Sequence, residues 1–154
     1  MPAHRSVKIG ATSVVVLLLT LTAGSQGGNS CVVSTTPVDF GAYDPYAITP
    51  LLGQGSVQYR CLGNVRTVRV SITAGGAGSF SRYMSGPGRL YYNLFLDAAQ
   101  QTIWGDGSGG SQPLVHTGIT SNVAYVATIY GRIPPLQTVA LGSYGDGLVV
   151  TVEF

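Results

Sequence analysis

Few side chains in this 154-residue chain can move a proton, attack a carbonyl or hold a metal. A Ser-His-Asp relay needs an imidazole to carry protons. Beyond His4 the one histidine is His116, in SQPLVHTG, a stretch expected to be a loop, where it reads as an ordinary surface residue. Hydrolysis by paired carboxylates needs two placed acids, and the candidates are Asp97 and Asp106, on either side of Trp104. Turn aspartates between strands account for both. The run Gly105 to Gly110, GDGSGG, has neither the lysine nor the following helix of a phosphate-binding loop. It also lacks the spaced ligands and the glutamate of an EF-hand loop, which leaves a loose calcium contact at Asp106 as the remaining metal reading. No catalytic residue, cofactor site or metal centre is expected, and an enzyme is the least favoured class.

The other reactive pair is Cys31 and Cys61, and what they do depends on the compartment. His4, Arg5 and Lys8 precede an apolar run from Ile9 to Leu21, and Thr22, Ala23, Gly24 and Ser25 follow it. Charged, apolar and small segments in that order make a secretory signal peptide. The run is too short to cross a hydrocarbon core about 30 Å thick as a helix. Cleavage is expected between Ala23 and Gly28, giving a leader over 1–25 and one domain over 26–154, with no membrane span after cleavage. Gly28 stands three positions before Cys31, where a lipoprotein signal usually carries leucine, so Cys31 is not expected to be lipidated. Exported thiols oxidise and pair. Two cysteines allow one intramolecular bridge, set against a free thiol pair or an intermolecular bridge.

Removing the leader also removes the excess charge. The mature chain keeps Arg60, Arg66, Arg69, Arg82, Arg89 and Arg132 against Asp39, Asp44, Asp97, Asp106, Asp146 and Glu153, a formal balance of zero, with no lysine after Lys8. A nucleic-acid binder needs a concentrated basic surface, so nucleic acid is not an expected partner. Low net charge favours association.

The elements that must position these residues read as strands. Leu148, Val150, Val152 and Phe154 recur at period two in GDGLVVTVEF, the pattern of a strand with one apolar face. As the last stretch of the sequence, it is expected either to lie at a sheet edge that takes its pairing from another chain or to be paired inside a complete sandwich. Cys31 to Phe40 is the first strand, with Pro37 marking an edge or a bulge. Gly41 to Gly53 is turn-rich, Ser56 to Cys61 is a strand, and Gly63 with Asn64 signals a two-residue turn. Arg66 to Thr73 and Arg89 to Asp97 alternate, Gln101 to Trp104 is a short strand, and Asn122 to Tyr130 alternates until Gly131 to Pro135 stops it. Phe80 to Pro87 has no assigned state. With no 3.6-residue period after the leader, an all-β antiparallel sandwich of six main strands is expected.

Read in order, these words resemble the spore coat protein U domain family: Cys31, Val38 to Gly41, Tyr43 to Pro45, Cys61, Arg82 to Met84, Leu90 to Leu94, Trp104 to Gly107, Tyr130 to Pro134 with Gln137, and Gly142 to Tyr144. The resemblance covers Cys31 to Phe154. It implies an immunoglobulin-like sandwich lacking its seventh strand, which is supplied in trans, with a strand-acceptor groove at Leu148, Val150, Val152 and Phe154. It further implies a non-enzymatic structural subunit of an archaic chaperone-usher pilus or coat. Such a subunit passes through the periplasm to the cell surface with a periplasmic chaperone, an outer-membrane usher and other subunits as partners. Trp104, Gly105, Asp106 and Gly107, with Tyr130, Gly131, Arg132 and Pro134, take structural roles: Trp104 packs, Gly105 and Gly107 turn the chain, and Arg132 pairs with an acid or caps loop carbonyls. The sequence departs from polymerising members ahead of Cys31, where Gln26 to Ser30 is short and polar in place of an alternating apolar extension. On that cleavage site the chain receives a strand but hardly gives one. The alternative is an adhesive or ligand-binding module at a fibre tip, favoured by the missing donor segment and by Tyr43, Tyr46 and Tyr83 in expected loops.

Overall fold

The computed structural model describes residues 9–11 and 28–154. The expected leader and its cleavage site lie outside these residues, apart from Ile9–Ala11 and Gly28. Ile9–Ala11 is strand β1, and it pairs antiparallel with β3, Gly41–Tyr43.

Two antiparallel sheets enclose the core. The first has the order β2, β4, β10, β8, formed by Ser30–Asp39, Leu51–Leu62, Ala124–Ile133 and Asn93–Phe95. The second has the order β11, β5, β9, formed by Val150–Glu153, Thr67–Ile72 and Leu114–Thr117. A hairpin of β6, Tyr83–Ser85, and β7, Arg89–Tyr91, lies beside them. Period-two alternation builds the interior: Val57, Tyr59 and Cys61 of β4 and Val68, Val70 and Ile72 of β5 point inward and are buried, with Trp104, Leu94 and Ile129 between the layers. The all-β sandwich follows from that alternation.

Pro37 marks both an edge and a bulge. β2 pairs with β4 alone, and its register shifts between Thr36 and Asp39. Beyond the shift, Val38 and Phe40 are carried down over Gly53, Gly55 and Gly131, where a side chain would collide with them. Cys31 and Cys61 face each other across β2 and β4 and form a disulfide, the intramolecular one of the three readings.

Six expectations about elements are corrected. Among the described residues the two sheets hold seven strands, β9 being the one beyond the six main strands expected. Gln101 to Trp104 is not a strand and makes only isolated bridges, Ile103 to Phe95 and Trp104 to Gln112. Gly63 and Asn64 do not close a hairpin, because β4 and β5 belong to different sheets and the turn is a corner between them. Arg89 to Asp97 is not one strand: it breaks at Tyr92, whose N–H donates to the Arg82 carbonyl, and β7 and β8 enter different sheets. Gly131 to Ile133 continues β10, paired with Leu51 to Gly53, so the strand stops at Pro134, which lacks an N–H for the ladder. His116 lies in β9, paired with Val68.

Candidate functional site

The sheet orders leave two edges facing each other at one side of the sandwich. β2 is bonded only to β4 and β11 only to β5, so among the described residues each has a free edge. Between them lies a narrow apolar cleft of about 10 Å³, room for little more than one water, and Val38, Ile72, Leu94, Ile129, Leu148 and Val150 are already buried around it. Thr35, Thr36, Pro37 and Val38 of β2 form one wall, Leu148 and Val150 the other, and Ile72, Leu94 and Ile129 the floor. Pro37 presents no N–H on this edge, and the bulge carries Val38 toward the interior. No charged or titratable side chain lines the cleft. Its chemistry is therefore backbone pairing and apolar burial, without proton transfer or coordination.

Two of the four predicted acceptor residues, Leu148 and Val150, line this cleft. Val152 is buried further along β11, whereas Phe154 lies beyond that strand and is 41% exposed. The opposite wall on β2 was missed, although Pro37 in the first strand was a usable sign of an edge.

The motif residues sit behind the cleft and tie the sheets together. Trp104 is fully buried; its indole Nε1 donates to the Val70 carbonyl at 2.9 Å and its backbone N–H to the Leu94 carbonyl at 2.9 Å, one partner in each sheet. Gly105 packs against Phe80 and Ser111 where no Cβ fits. Asp106 accepts bonds from the Ser108 hydroxyl and N–H, which hold its carboxyl below the usual range, and Gly107 turns the chain at φ 100°. Asp97 accepts from the N–H groups of Thr102 and Gln101, and its carboxyl is likewise held low. Both acids are turn residues, and no three His, Cys, Asp or Glu side chains converge as a metal site among the described residues. Tyr130 pairs with Phe95, and the Pro134 carbonyl accepts bonds from the Tyr43 hydroxyl and the Gln137 amide.

Carbonyl capping by an arginine occurs, but at Arg82. Its guanidinium donates to the carbonyls of Thr73 and Trp104, each at 2.8 Å, and to Asn93 Oδ1 at 2.7 Å. Arg132 makes no ion pair among the described residues, where the one salt bridge joins Arg69 to Glu153, and its Nε has no hydrogen-bond partner. His116 shares a 2.7 Å hydrogen bond between its Nδ1 and the Tyr59 hydroxyl, and Tyr125 stacks on Tyr59 and meets the His116 ring edge-on. Of the three tyrosines expected in loops, Tyr43 is buried, Tyr83 lies in β6, and Tyr46 stands in solvent.

Residues 17–151 match the family model of the Spore Coat Protein U domain. Protein U of Myxococcus xanthus is 29% identical over 132 residues, covering 76% of this chain and 71% of that protein. Among solved structures, the fold is similar to a chain of the CsuC-CsuE chaperone-tip adhesion subunit pre-assembly complex from archaic chaperone-usher Csu pili of Acinetobacter baumannii. That match has a TM-score of 0.60 at 24% identity and covers 82% of this chain. This chain spans 40% of the length of that one.

Proposed function

The chain belongs to the Spore Coat Protein U domain family, and from that premise we propose that it is a structural subunit of a bacterial surface assembly whose sandwich is completed by a β-strand from another chain. The observation that carries this reading is the pair of unpaired edges, β2 and β11, which meet over a narrow apolar cleft of about 10 Å³. An incoming strand would extend either edge by main-chain hydrogen bonds, and the two edges would part to admit its alternate side chains onto Ile72, Leu94 and Ile129, which are buried in the lone chain. Burying four apolar side chains in this way contributes roughly 1.5–3 kcal/mol each, comparable in sum with the stability of a small domain. Export behind the leader over 1–25, passage through the periplasm, and a chaperone and usher as partners belong to the same proposal. The fold shared with a chain of a chaperone-subunit complex supports the chaperone.

A photo-crosslinking amino acid placed at Thr36 or Leu148 tests this in the native organism. The reading expects a covalent adduct to a second polypeptide, while the same probe at Val126, on the outer face of β10, gives none. Adducts absent from the cleft positions, or equal at all three, overturn it. A second reading, an adhesive module at a fibre tip, is favoured by the loop between β3 and β4, where Tyr46 and Ile48 are 84% and 82% exposed.

A further inference from the structure

A second concavity, of about 390 Å³, opens at the β8 side of the four-stranded sheet. β2 and β8 are its opposite edges, three strand spacings or about 14 Å apart, so this pocket is separate from the cleft. Its walls include Tyr91, Tyr92, Phe95 and Pro134, and two of its lining residues are Arg82 and Arg132; none is acidic. Arg132 rises from β10 between Leu52 and Asn93 with its Nε buried and unbonded. Arg82 spends its donors on carbonyls and an amide, so its charge too lacks a contacting carboxylate. Burial pushes its guanidinium down to about 10, still a cation at neutral pH. Asp146 and Asp106 act on it through space alone, since the Asp146 oxygens are taken by the Tyr92 hydroxyl and the Gly76 N–H, and Asp106 Oδ1 by Ser108.

Arg82 is wholly buried with its donors spent, so Arg132 is the cation this concavity offers a ligand, with no anion among its lining residues. Charges withdrawn from water are ordinarily paired, and the planar guanidinium fork fits a carboxylate in two parallel bonds. The volume falls within the range of about 300–1,000 Å³ typical of small-molecule sites, more than a bare carboxylate fills. Tyr91 is 47% exposed and offers a flat apolar face with a polar tip. Its backbone is clamped on both sides by the Gln137 side-chain amide, at 2.8 Å and 2.9 Å, and its ring meets the Tyr83 ring edge-on with centroids 6.1 Å apart. We propose that this pocket binds a carboxylate-bearing sugar of hexuronate size, its carboxylate on Arg132 and its ring against Tyr91. The inference rests neither on the cleft nor on the exposed loop at Tyr46.

The test is a titration of the full exported chain with glucuronate, glucose and acetate, followed by protein-observed NMR, with the buried Trp104 indole signal reporting the fold. Saturable binding of glucuronate is expected, weakened about tenfold or more in Arg132→Gln and less in Arg132→Lys, with glucose and acetate each binding more weakly. Should Arg132→Gln fail to accumulate, Tyr91→Ala carries the test: it is expected to weaken glucuronate and leave acetate unchanged. Absent glucuronate binding, binding indifferent to both variants, or acetate binding as tightly as glucuronate overturns the proposal.

Discussion

Arg82 and Arg132 stand in comparable family words, yet their environments are opposite. Arg82 is wholly buried and joins both sheets through the Thr73 and Trp104 carbonyls and Asn93, whereas Arg132 has no partner among these groups. Tyr92, packed beside Arg82, gives a prediction whose sign is fixed by linkage. Burial first, then the charge and hydrogen bond of Asp146, push the Tyr92 hydroxyl far above its ordinary value of 10.0. A group whose folded pKa is raised contributes its stability in full below the unfolded pKa and loses it as pH rises above that value. Tyr92→Phe should therefore cost roughly 1–3 kcal/mol at pH 7 by stranding the Asp146 carboxylate, with the gap to the native chain closing between pH 10 and 12. Arg82 contributes with the opposite sign in that window, because burial depresses its folded pKa, and since Tyr92 is among the groups that act on it, the closing gap reports the Tyr92 and Arg82 pair together. Urea unfolding at pH 7 and pH 11 checks this; a gap independent of pH would contradict it. At this scale the sequence was least legible. Which arginine is buried depends on which acceptors converge on it, and those are the Thr73 and Trp104 carbonyls and the Asn93 side-chain amide, from three separate stretches of the chain.

At the scale of elements, the glycines of β4 and β10 explain how the edge strand crosses its own sheet. A Cβ on Gly131 would stand 2.6 Å from the Phe40 ring and 2.8 Å from Val38. Gly131→Ala should thus destabilise by about 1–3 kcal/mol through overpacking, although alanine suits a strand no worse than glycine. Val126→Ala on the exposed face of the same strand should stay within about 0.5 kcal/mol; equal effects in denaturant melts would count against the packing account. Alternation makes β2, β5 and the outer part of β10 legible in the amino-acid sequence, and Pro37 announces the edge. The pattern misleads where tertiary contacts override it. Gly131 looks like a stop because glycine usually ends strands, yet here it is the close approach of Phe40 that requires it. Leu90, Tyr92 and Leu94 keep one period across a break, since all three face the interior while their backbones join different sheets. β9 has four residues and only partial burial, too little apolar signal beside Pro113 and Gly118.

For the whole molecule, the account depends on two edges, β2 and β11, that no described strand joins. The terminal alternation pointed to the β11 side of the cleft, and Leu148 and Val150 lie there. The opposing wall was hidden because its residues, Thr35 to Val38, read as a half-polar strand until the bulge aims Val38 inward. A sandwich open in this way should gain stability from any strand that fits, by an amount that grows with ligand concentration. The most direct measurement is thermal unfolding of the purified exported chain, with its mass in solution, across a titration with a synthetic peptide of alternating apolar residues. The account predicts a low or broad transition that sharpens and moves upward with peptide concentration, and no such shift for a peptide with aspartate at the alternate positions. A sharp transition in a monomer, unmoved by the apolar peptide at any concentration, would show that the sandwich is already closed and would contradict the account.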